Sequence, residues 1–372
     1  MRRAPLRFAA LAALIALGAC STTSKPTPSP LEDIAKPQTI ERPVWNAKLA
    51  GVDFPLFVAV DGGVFTLAGN DGQVVALAAA DGHELWRAEL GSALSAGVGS
   101  DGRYAAVVTR DNQLVVLDAG KPLWRATLAS RVVTAPLVAG ERVFVMGVDR
   151  AVHAFDVLNG HQLWSLARPG DALTLAQASV VTAYGDTLIV GQGPRLAGID
   201  PLRGEVRWET PVATPRGTNE VERLADLIGP AARAGATLCV RAFQSAVGCI
   251  DGERGTLAWT RNVGGNDPVA ADAQYVFGAD ASDRITAWRL ASGEVAWSNE
   301  RFLHRSLSGP RSLGEAVVFG DGEGYVHFLA RDSGQTLQRL PTDGSAVVGK
   351  PALSGTTLLV VTRKGGVYAF RP

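Results

Sequence analysis

The sequence predicts an all-β fold, an eight-bladed β-propeller whose blades are four-stranded antiparallel sheets. One unit recurs seven times: an apolar strand, a turn ending in Gly, and, in six copies, a Trp four residues after that Gly, with Gln338 in the seventh. Counted from Trp45, successive positions lie 41, 38, 40, 44, 51, 38 and 41 residues apart. A period near 40 residues, made of short strands and turns, is typical of a propeller blade.

The repeat between Trp259 and Trp297 illustrates the four strands expected in each blade. Alternating apolar and polar residues, interrupted by Gly, Asp and Asn turns, indicate strands rather than helices. We place these strands at 267–272, 274–280, 284–290 and 295–300. The repeated Gly then lies in the turn between the third and fourth strands, and the Trp lies on the fourth.

The two ends of the chain complete one blade together. After Gln338 the sequence has room for only three strands before it stops at Pro372. The segment around Trp45 has the features of a fourth strand with no blade before it. Pairing the N-terminal strand with the C-terminal blade closes the ring and removes two exposed sheet edges, so we expect eight blades.

The repeated Trp is interpreted as a packing residue. In five copies the residue six positions before the turn Gly is small, which leaves room for an indole from a neighbouring strand or blade, and burial of so large an aromatic group contributes strongly to packing. We therefore expect no ligand-binding role for any of these Trp residues. The five small residues are Ala76, Ala154, Gly198, Cys249 and Ala287.

The N-terminus has the pattern of a lipoprotein export signal. Arg2, Arg3 and Arg7 precede an apolar run at residues 8–19 that is too short to span a bilayer. The run ends in Leu-Gly-Ala-Cys, which resembles a bacterial lipobox with Cys20 as the lipid-bearing residue. The alternative is an ordinary secretory signal with an incidental Cys.

This pattern divides the chain into three parts. We expect a cleaved signal peptide at residues 1–19, and the lipidated Cys with a Pro-, Ser- and Thr-rich tether at residues 20–42. The propeller occupies residues 43–372. Ser21 follows the Cys where, in bacterial lipoproteins, Asp resembles an inner-membrane retention signal, so the resemblance implies sorting to the outer membrane, periplasmic face.

The charge of the chain argues against nucleic acid as a partner. The sequence has 36 basic and 36 acidic residues. Removing the three Arg of the signal leaves 33 against 36, a net charge near −3. A nucleic-acid-binding surface normally requires a basic excess, so we expect no nucleic acid partner.

Cys239 and Cys249 flank a predicted hairpin whose turn centre lies near Gln244, so the two residues are roughly opposite each other. In the oxidising periplasm such a pair can form a cross-strand disulfide. Alternatively, Cys249 occupies the small-residue position of the repeat simply because of its size.

The repeat resembles that of the pyrroloquinoline quinone (PQQ) dehydrogenases, which carry an A-x-D-x-x-x-G-x-x-x-W motif. The closest matches are HAFDVLNGHQLW and AGIDPLRGEVRW. This resemblance makes a PQQ-dependent periplasmic dehydrogenase the alternative function. Those enzymes use adjacent cysteines and a carboxylate-bound calcium, whereas this chain has no adjacent Cys pair and its five His residues lack metal-binding spacing. We expect no catalytic residue, metal or cofactor.

The whole chain resembles the BamB family, the propeller lipoproteins of the outer-membrane β-barrel assembly machinery. The most specific match is an insertion after Trp208, where residues 219–227 follow the family form x-E-[IV]-x-R-L-x-D-[VL]. The family's final Asp is Ile228 here. An Arg with exposed apolar neighbours is a frequent interface pattern. The alternative is a loop that packs its own Leu residues onto the propeller. The partner-binding residues expected in this loop are Glu222, Arg223, Leu224 and Asp226.

A second candidate contact lies on the hairpin at residues 279–288. Asp280, Asp283 and Arg284 resemble a D-x-N-D-R string of the same family. Ordinary turn chemistry explains these residues equally well, because Asp side chains stabilise tight turns.

The family resemblance implies a non-enzymatic scaffold. Its implied partner is the set of POTRA domains of BamA, the barrel-inserting protein of the machinery. Two mechanisms are compatible with a propeller: it holds the POTRA chain in a productive orientation, or it offers strand edges to nascent outer-membrane β-barrel proteins.

Overall fold

The computed structural model describes residues 26–34, 42–168 and 173–371, and these form 32 β-strands and no α-helix. The strands are grouped into eight antiparallel sheets of four, so the predicted eight-bladed propeller is confirmed. No helix in the described ranges is long and apolar enough to cross a membrane. The strands of blades 1 to 4 are β2 (Ala59–Asp61), β3 (Val64–Ala68), β4 (Gln73–Ala78) and β5 (Glu84–Glu89); β6 (Gly99–Ser100), β7 (Tyr104–Val108), β8 (Gln113–Asp118) and β9 (Lys121–Thr127); β10 (Leu137–Ala139), β11 (Arg142–Met146), β12 (Val152–Asp156) and β13 (Gln162–Leu166); β14 (Val181–Tyr184), β15 (Thr187–Gln192), β16 (Arg195–Ile199) and β17 (Val206–Pro211).

The remaining blades follow the same order, from the innermost strand A to the outermost strand D. Blade 8 takes its first three strands from the C-terminus and its fourth from the N-terminus. Blades 5 to 8 contain β18 (Leu227–Ala234), β19 (Thr237–Ala242), β20 (Ala246–Asp251) and β21 (Leu257–Arg261); β22 (Ala270–Ala271), β23 (Tyr275–Ala279), β24 (Ile285–Arg289) and β25 (Val295–Asn299); β26 (Arg311–Leu313), β27 (Ala316–Gly320), β28 (Tyr325–Ala330) and β29 (Thr336–Pro341); β30 (Val347–Ser354), β31 (Thr357–Thr362), β32 (Gly366–Phe370) and β1 (Trp45–Lys48).

The ring closes through β1, as the sequence predicts. Trp45 pairs with Ala369 and Lys48 with Gly366 in an antiparallel register along β32. Inner strands such as β7, the second strand of blade 2, are fully buried, whereas outermost strands such as β9 of the same blade show alternating exposure. The apolar core therefore lies between blades, in clusters that join one sheet to the next.

Each repeated Trp joins two blades. Within its own blade it lies opposite the small residue of the repeat, as Trp208 does opposite Gly198, where an added Cβ would lie 2.4 Å from the indole. The same indole covers the turn Gly of the next blade: a Cβ on Gly255 would lie 2.2 Å from Trp208. The indole nitrogens of five repeats donate to the carbonyl three residues before that Gly: Trp45 to Ala79 (3.1 Å), Trp124 to Val157 (2.7 Å), Trp164 to Pro201 (3.0 Å), Trp259 to Leu290 (2.7 Å) and Trp297 to Arg331 (2.8 Å).

This contact explains why the seventh copy has Gln338 instead of Trp. Gln338 lies on strand D of blade 7, so the indole of a Trp at this position would dock on the C–D turn of blade 8. Blade 8 has no such turn, because its third strand ends near the C-terminus and its fourth is β1. The Trp is therefore absent at the one blade interface where the covalent hairpin that receives it is missing.

The Trp–Gly contact makes a matched pair of substitutions informative. Gly293 has φ +70° and a Cβ there would lie 2.6 Å from Trp259, whereas Gly314 has φ +56° and no atom within 4 Å. We expect Gly314→Ala to cost about 1 kcal/mol, the strain of a left-handed non-Gly residue. Gly293→Ala should cost about 1–3 kcal/mol more, because the methyl group displaces a packed indole. Urea unfolding of both variants measures the difference, and equal midpoints would remove the packing role of the turn Gly.

Candidate functional site

The two faces of the ring carry different loops. Because consecutive strands alternate in direction, the B–C turns and the connections between blades lie on one face, which we call the B–C face. The A–B turns and the Gly-containing C–D turns lie on the other, the C–D face. The two sequence-predicted loops, at residues 212–226 and 280–284, are an interblade connection and a B–C turn, so both lie on the B–C face.

The 212–226 connection has a packed base and an exposed tip. Ala225, Leu227 and Val212 are buried in the cluster between blades 4 and 5. Val221 is 69% exposed, and Glu222 and Arg223 are also exposed. The packed base holds the tip in place, while the tip itself offers an apolar and a cationic side chain to solvent.

Local hydrogen bonds shape this tip. The Asn219 side chain accepts from the Glu222 amide (2.9 Å), and the Glu222 carboxylate accepts from the Thr218 amide (2.8 Å) and hydroxyl (3.2 Å). The Thr218 backbone N–H is the largest cause of a lowered pKa for Glu222. Leu224 is half-buried against a cavity of about 670 Å³ beneath the loop. Glu222 therefore stabilises the turn, and Arg223 is left pointing outward, with no side-chain partner among the described residues.

Asp226 belongs to the base rather than to the tip. Its carboxylate pairs with Arg150 (2.9 Å) and accepts from the Leu175 amide (3.0 Å), and its carbonyl accepts from the Phe243 amide (2.9 Å). The side chains of Arg150 and Asp226 are only 15% and 13% exposed. Asp226 thus joins the entry of blade 5 to blade 3 and to the connection before blade 4, and its carboxylate is occupied within the chain.

The 280–284 turn is also largely occupied internally. Asp280 accepts from the amides of Ser282 (2.8 Å) and Arg284 (3.0 Å), the pattern of turn chemistry. Asp283, with φ +66°, accepts from the amides of Ser306 (2.7 Å) and Leu307 (3.0 Å), which lie in the connection to blade 7. Burial raises the pKa of Asp283. Of the three predicted residues of this turn, Arg284 is the exposed one, and it pairs with Glu300 at 3.0 Å.

In the sequence between these two loops, the B–C turn of blade 5 is hydrogen-bonded to the connection between blades 5 and 6. The Gln244 amide donates to the Gly265 carbonyl (3.0 Å), and its side chain contacts Asn266 at 2.5 Å. Arg241 strengthens this junction from inside: its guanidinium donates to the carbonyls of Val263, Gly264, Asp267 and Ala279 at 2.8–3.1 Å. Burial lowers the pKa of Arg241 to about 10. Sequence reasoning missed this residue, although a lone Arg inside the apolar run at 238–243 is a visible signal.

The two cysteines of blade 5 face each other directly. Cys239 on β19 is the register partner of Cys249 on β20, with 4.1 Å between their Cα atoms, and the sulfurs form a disulfide. Cys249 is also the register partner of Trp259, so it occupies the small position of the repeat as well. The two interpretations of Cys249 are therefore compatible.

Comparison with known proteins places this arrangement in a family. Residues 70–299 match the family model described as outer membrane protein assembly factor BamB. The chain belongs to the BamB family. The outer membrane protein assembly factor BamB from Burkholderia pseudomallei is 36% identical to this chain, and the alignment covers 100% of this chain and 99% of the relative.

Two solved structures resemble the ring. BamB from Moraxella catarrhalis superposes with a TM-score of 0.78 at 22% identity, covering 88% of this chain and 100% of that chain. A quinohemoprotein alcohol dehydrogenase from Comamonas testosteroni superposes with a TM-score of 0.67 at 14% identity, covering 89% and 76%. At these identities both likenesses show the propeller fold alone, whereas the sequence match to BamB carries the family.

In this BamB-family chain, the described part of the tether lies against the ring. The Ser29 amide donates to the Leu303 carbonyl (2.9 Å), and Arg305 donates to the Ser29 carbonyl (2.9 Å). Glu32 pairs with Arg301 at 2.7 Å. Arg305 is itself buried and paired with Asp321 at 2.8 Å, so its position is fixed by the ring. Residues 26–34 are thereby attached beside blades 6 and 7.

Proposed function

We propose that this chain is a non-enzymatic scaffold lipoprotein of the outer-membrane β-barrel assembly machinery, which binds the POTRA domains of BamA and assists the insertion of β-barrel proteins. Its relatives are named as outer membrane protein assembly factors, which supports membership of that machinery. The partner surface proposed is the B–C face of blades 5 and 6.

The observation that carries this surface is the exposed tip on a packed base. Val221 and Arg223 project from a connection whose flanking residues are buried in the core, so little conformational entropy remains to be lost when a partner binds. Apolar contact next to an unpaired Arg is the composition of an interface anchor. Leu224 borders the same cavity, and Arg284 extends the surface to blade 6.

The residues of the proposed site therefore differ in how directly they would contact the partner. Arg223, with Val221 beside it, is the anchor, and Leu224 and Arg284 flank it. Glu222 holds the shape of the tip. Asp226, Asp280 and Asp283 position the loops through their internal hydrogen bonds, so their replacement acts on binding indirectly.

Co-purification tests the proposed function directly. The tagged full chain is expressed in its native host, outer membranes are solubilised in mild detergent, and the tag is captured. We expect BamA to be recovered with the chain. Absence of BamA, with the chain itself folded and membrane-associated, would leave only a generic periplasmic propeller.

The proposed anchor is Cys20, which lies outside the described residues. Acyl chains on this Cys would supply stable attachment to the periplasmic face of the outer membrane. We expect Cys20→Ser to release the protein into the soluble periplasmic fraction without changing its melting temperature, because the ring begins after the tether. Membrane association of the variant after a high-salt wash would contradict the lipid anchor.

A further inference from the structure

A cavity of about 440 Å³ lies at the axis of the ring. It is axial because segments leading into or opening six of the eight blades line it. Its wall combines apolar side chains with charged groups from blades 6 and 8. The contributing segments are 54–56, 177–178, 228–230, 266–268, 306–308 and 346–350.

Two cations meet beside this cavity. Lys350 on β30 of blade 8 lines it and reaches across to blade 6, where its Nζ donates to the Val269 carbonyl at 2.8 Å. Arg311 on β26 of blade 7 donates through Nε to the Pro351 carbonyl at 2.8 Å. A lysine carries three donors and an arginine five. Among the described residues these side chains have no further acceptor, so most of their donors remain available.

The surroundings do not balance these charges. Burial lowers the pKa of both Lys350 and Arg311, and the nearby charge of Arg311 lowers the pKa of Lys350 further. In the described ranges, no carboxylate forms an ion pair or a hydrogen bond with Lys350 or Arg311. The acidic groups of the cavity interact elsewhere. Asp267, whose pKa burial raises to about 6, faces Arg241. Asp280 accepts from amides of its own turn, and Asp283 accepts from amides of the connection to blade 7.

We propose that the axial cavity is a binding site for a small oxyanion, a phosphate or a carboxylate, held by Lys350 with the positive charge of Arg311 close behind it. Both side chains are only partly exposed, and two neighbouring cations without a carboxylate partner repel each other. An oxyanion in the cavity would supply the missing negative charge and accept from the free donors of Lys350, which is the strong, charge-assisted form of hydrogen bond. The cavity lining includes no residue of the 212–226 connection.

The proposal sets the direction of a pH dependence. A bound anion favours protonated Lys350, so its pKa is higher in the complex than in the free protein and binding takes up a proton. Affinity should therefore be strongest at low pH and weaken as pH rises. Protonation of Asp267 below about pH 6 removes a negative charge from the same cavity and acts in the same direction. Arg241 stays positive throughout this range, and the side chains of Asp280 and Asp283 already accept from backbone amides.

Isothermal titration of the detergent-solubilised full chain with inorganic phosphate and, separately, with citrate tests the site at pH 6 and pH 8. We expect binding at pH 6, with at least a tenfold loss of affinity in Lys350→Gln and in Arg311→Gln. Sulfate, whose charge is the same at pH 6 and pH 8, measures the pH dependence of the protein and should bind more weakly at pH 8. Heat from phosphate alone identifies a phosphate site, and heat from citrate alone a carboxylate site. Arg125→Gln, at an exposed position of blade 2, is the matched loss of one positive charge and should bind as the parent chain does.

Each remaining outcome decides the question. Lys350→Arg should keep the affinity if charge is what matters, and thermal melting should show a phosphate-dependent rise in the parent chain that Lys350→Gln lacks. If Lys350→Gln does not fold, Arg311→Gln and Lys350→Arg give the same comparison. Absence of binding by either anion at pH 6, or equal affinity in the parent and both Gln variants, would overturn the site.

Discussion

Deletion of residues 43–50 should open the ring and remove most of its stability. The deleted segment contains β1, whose four residues pair with β32. It also removes the Trp45 indole, which is only 9% exposed and donates to Ala79 of blade 1. The deletion therefore exposes the edge of β32 and removes the contact of Trp45 between blades 8 and 1.

The size of this effect can be separated into two parts. Trp45→Ala retains the backbone pairing and should cost about 3–5 kcal/mol, the usual range for removing a buried Trp. The deletion should cost more, because unpaired strand edges are added to the lost packing and promote aggregation. Urea unfolding and light scattering measure both variants. A truncated chain that melts together with the full-length chain would contradict ring closure by β1.

The second large effect is expected at the tip of the 212–226 connection. Arg223→Glu combined with Leu224→Ala should weaken the affinity for BamA by about 30-fold, equivalent to roughly 2 kcal/mol for a lost interface anchor, so that BamA is no longer recovered with the chain. Leu224 is half-buried, so this pair carries some risk of local destabilisation. The pair Val221→Ser and Arg223→Glu changes only exposed side chains and should leave the melting temperature unchanged.

The opposite face supplies the matched control. Leu202→Ser with Arg203→Glu makes the same chemical change on the C–D turn of blade 4, where Leu202 is 63% exposed. This control should retain full BamA recovery. Arg284→Glu should weaken recovery less than the tip variants, because Arg284 is already paired with Glu300. Equal BamA recovery from the well-folded tip and control variants would move the binding surface elsewhere on the ring.

The fold was predictable because its determinants are local and repeated. A Gly in a left-handed turn and a Trp four residues later recur in six of the eight blades, and the leftover strand at Trp45 matches the blade that lacks one. Even the exception at Gln338 follows from the closure. The repeat is visible within about 40 residues of sequence, the length of one blade, and the closure follows from comparing the two ends of the chain.

The candidate site was only partly predictable, because its side chains are distributed by contacts far apart in the chain. Asp226 pairs with Arg150, which is 76 residues away in the sequence, and Asp283 accepts a hydrogen bond from Leu307 in the connection to the next blade. From the sequence alone, both residues are indistinguishable from exposed carboxylates. Contacts of the N-terminal segment were also not predictable from local sequence. Its Pro-rich composition indicates a linker, yet the Ser29 carbonyl accepts a hydrogen bond from Arg305.

Site-specific photo-crosslinking tests the central proposal, that the B–C face contacts BamA. A photoreactive phenylalanine is placed at Val221 in one variant and at Leu202 in the other, two positions of similar exposure, 69% and 63%, on opposite faces. After irradiation of intact cells, the account predicts a BamA adduct from position 221 and none from position 202. An adduct from position 202 alone, or none from either while the chain co-purifies with BamA, would contradict it.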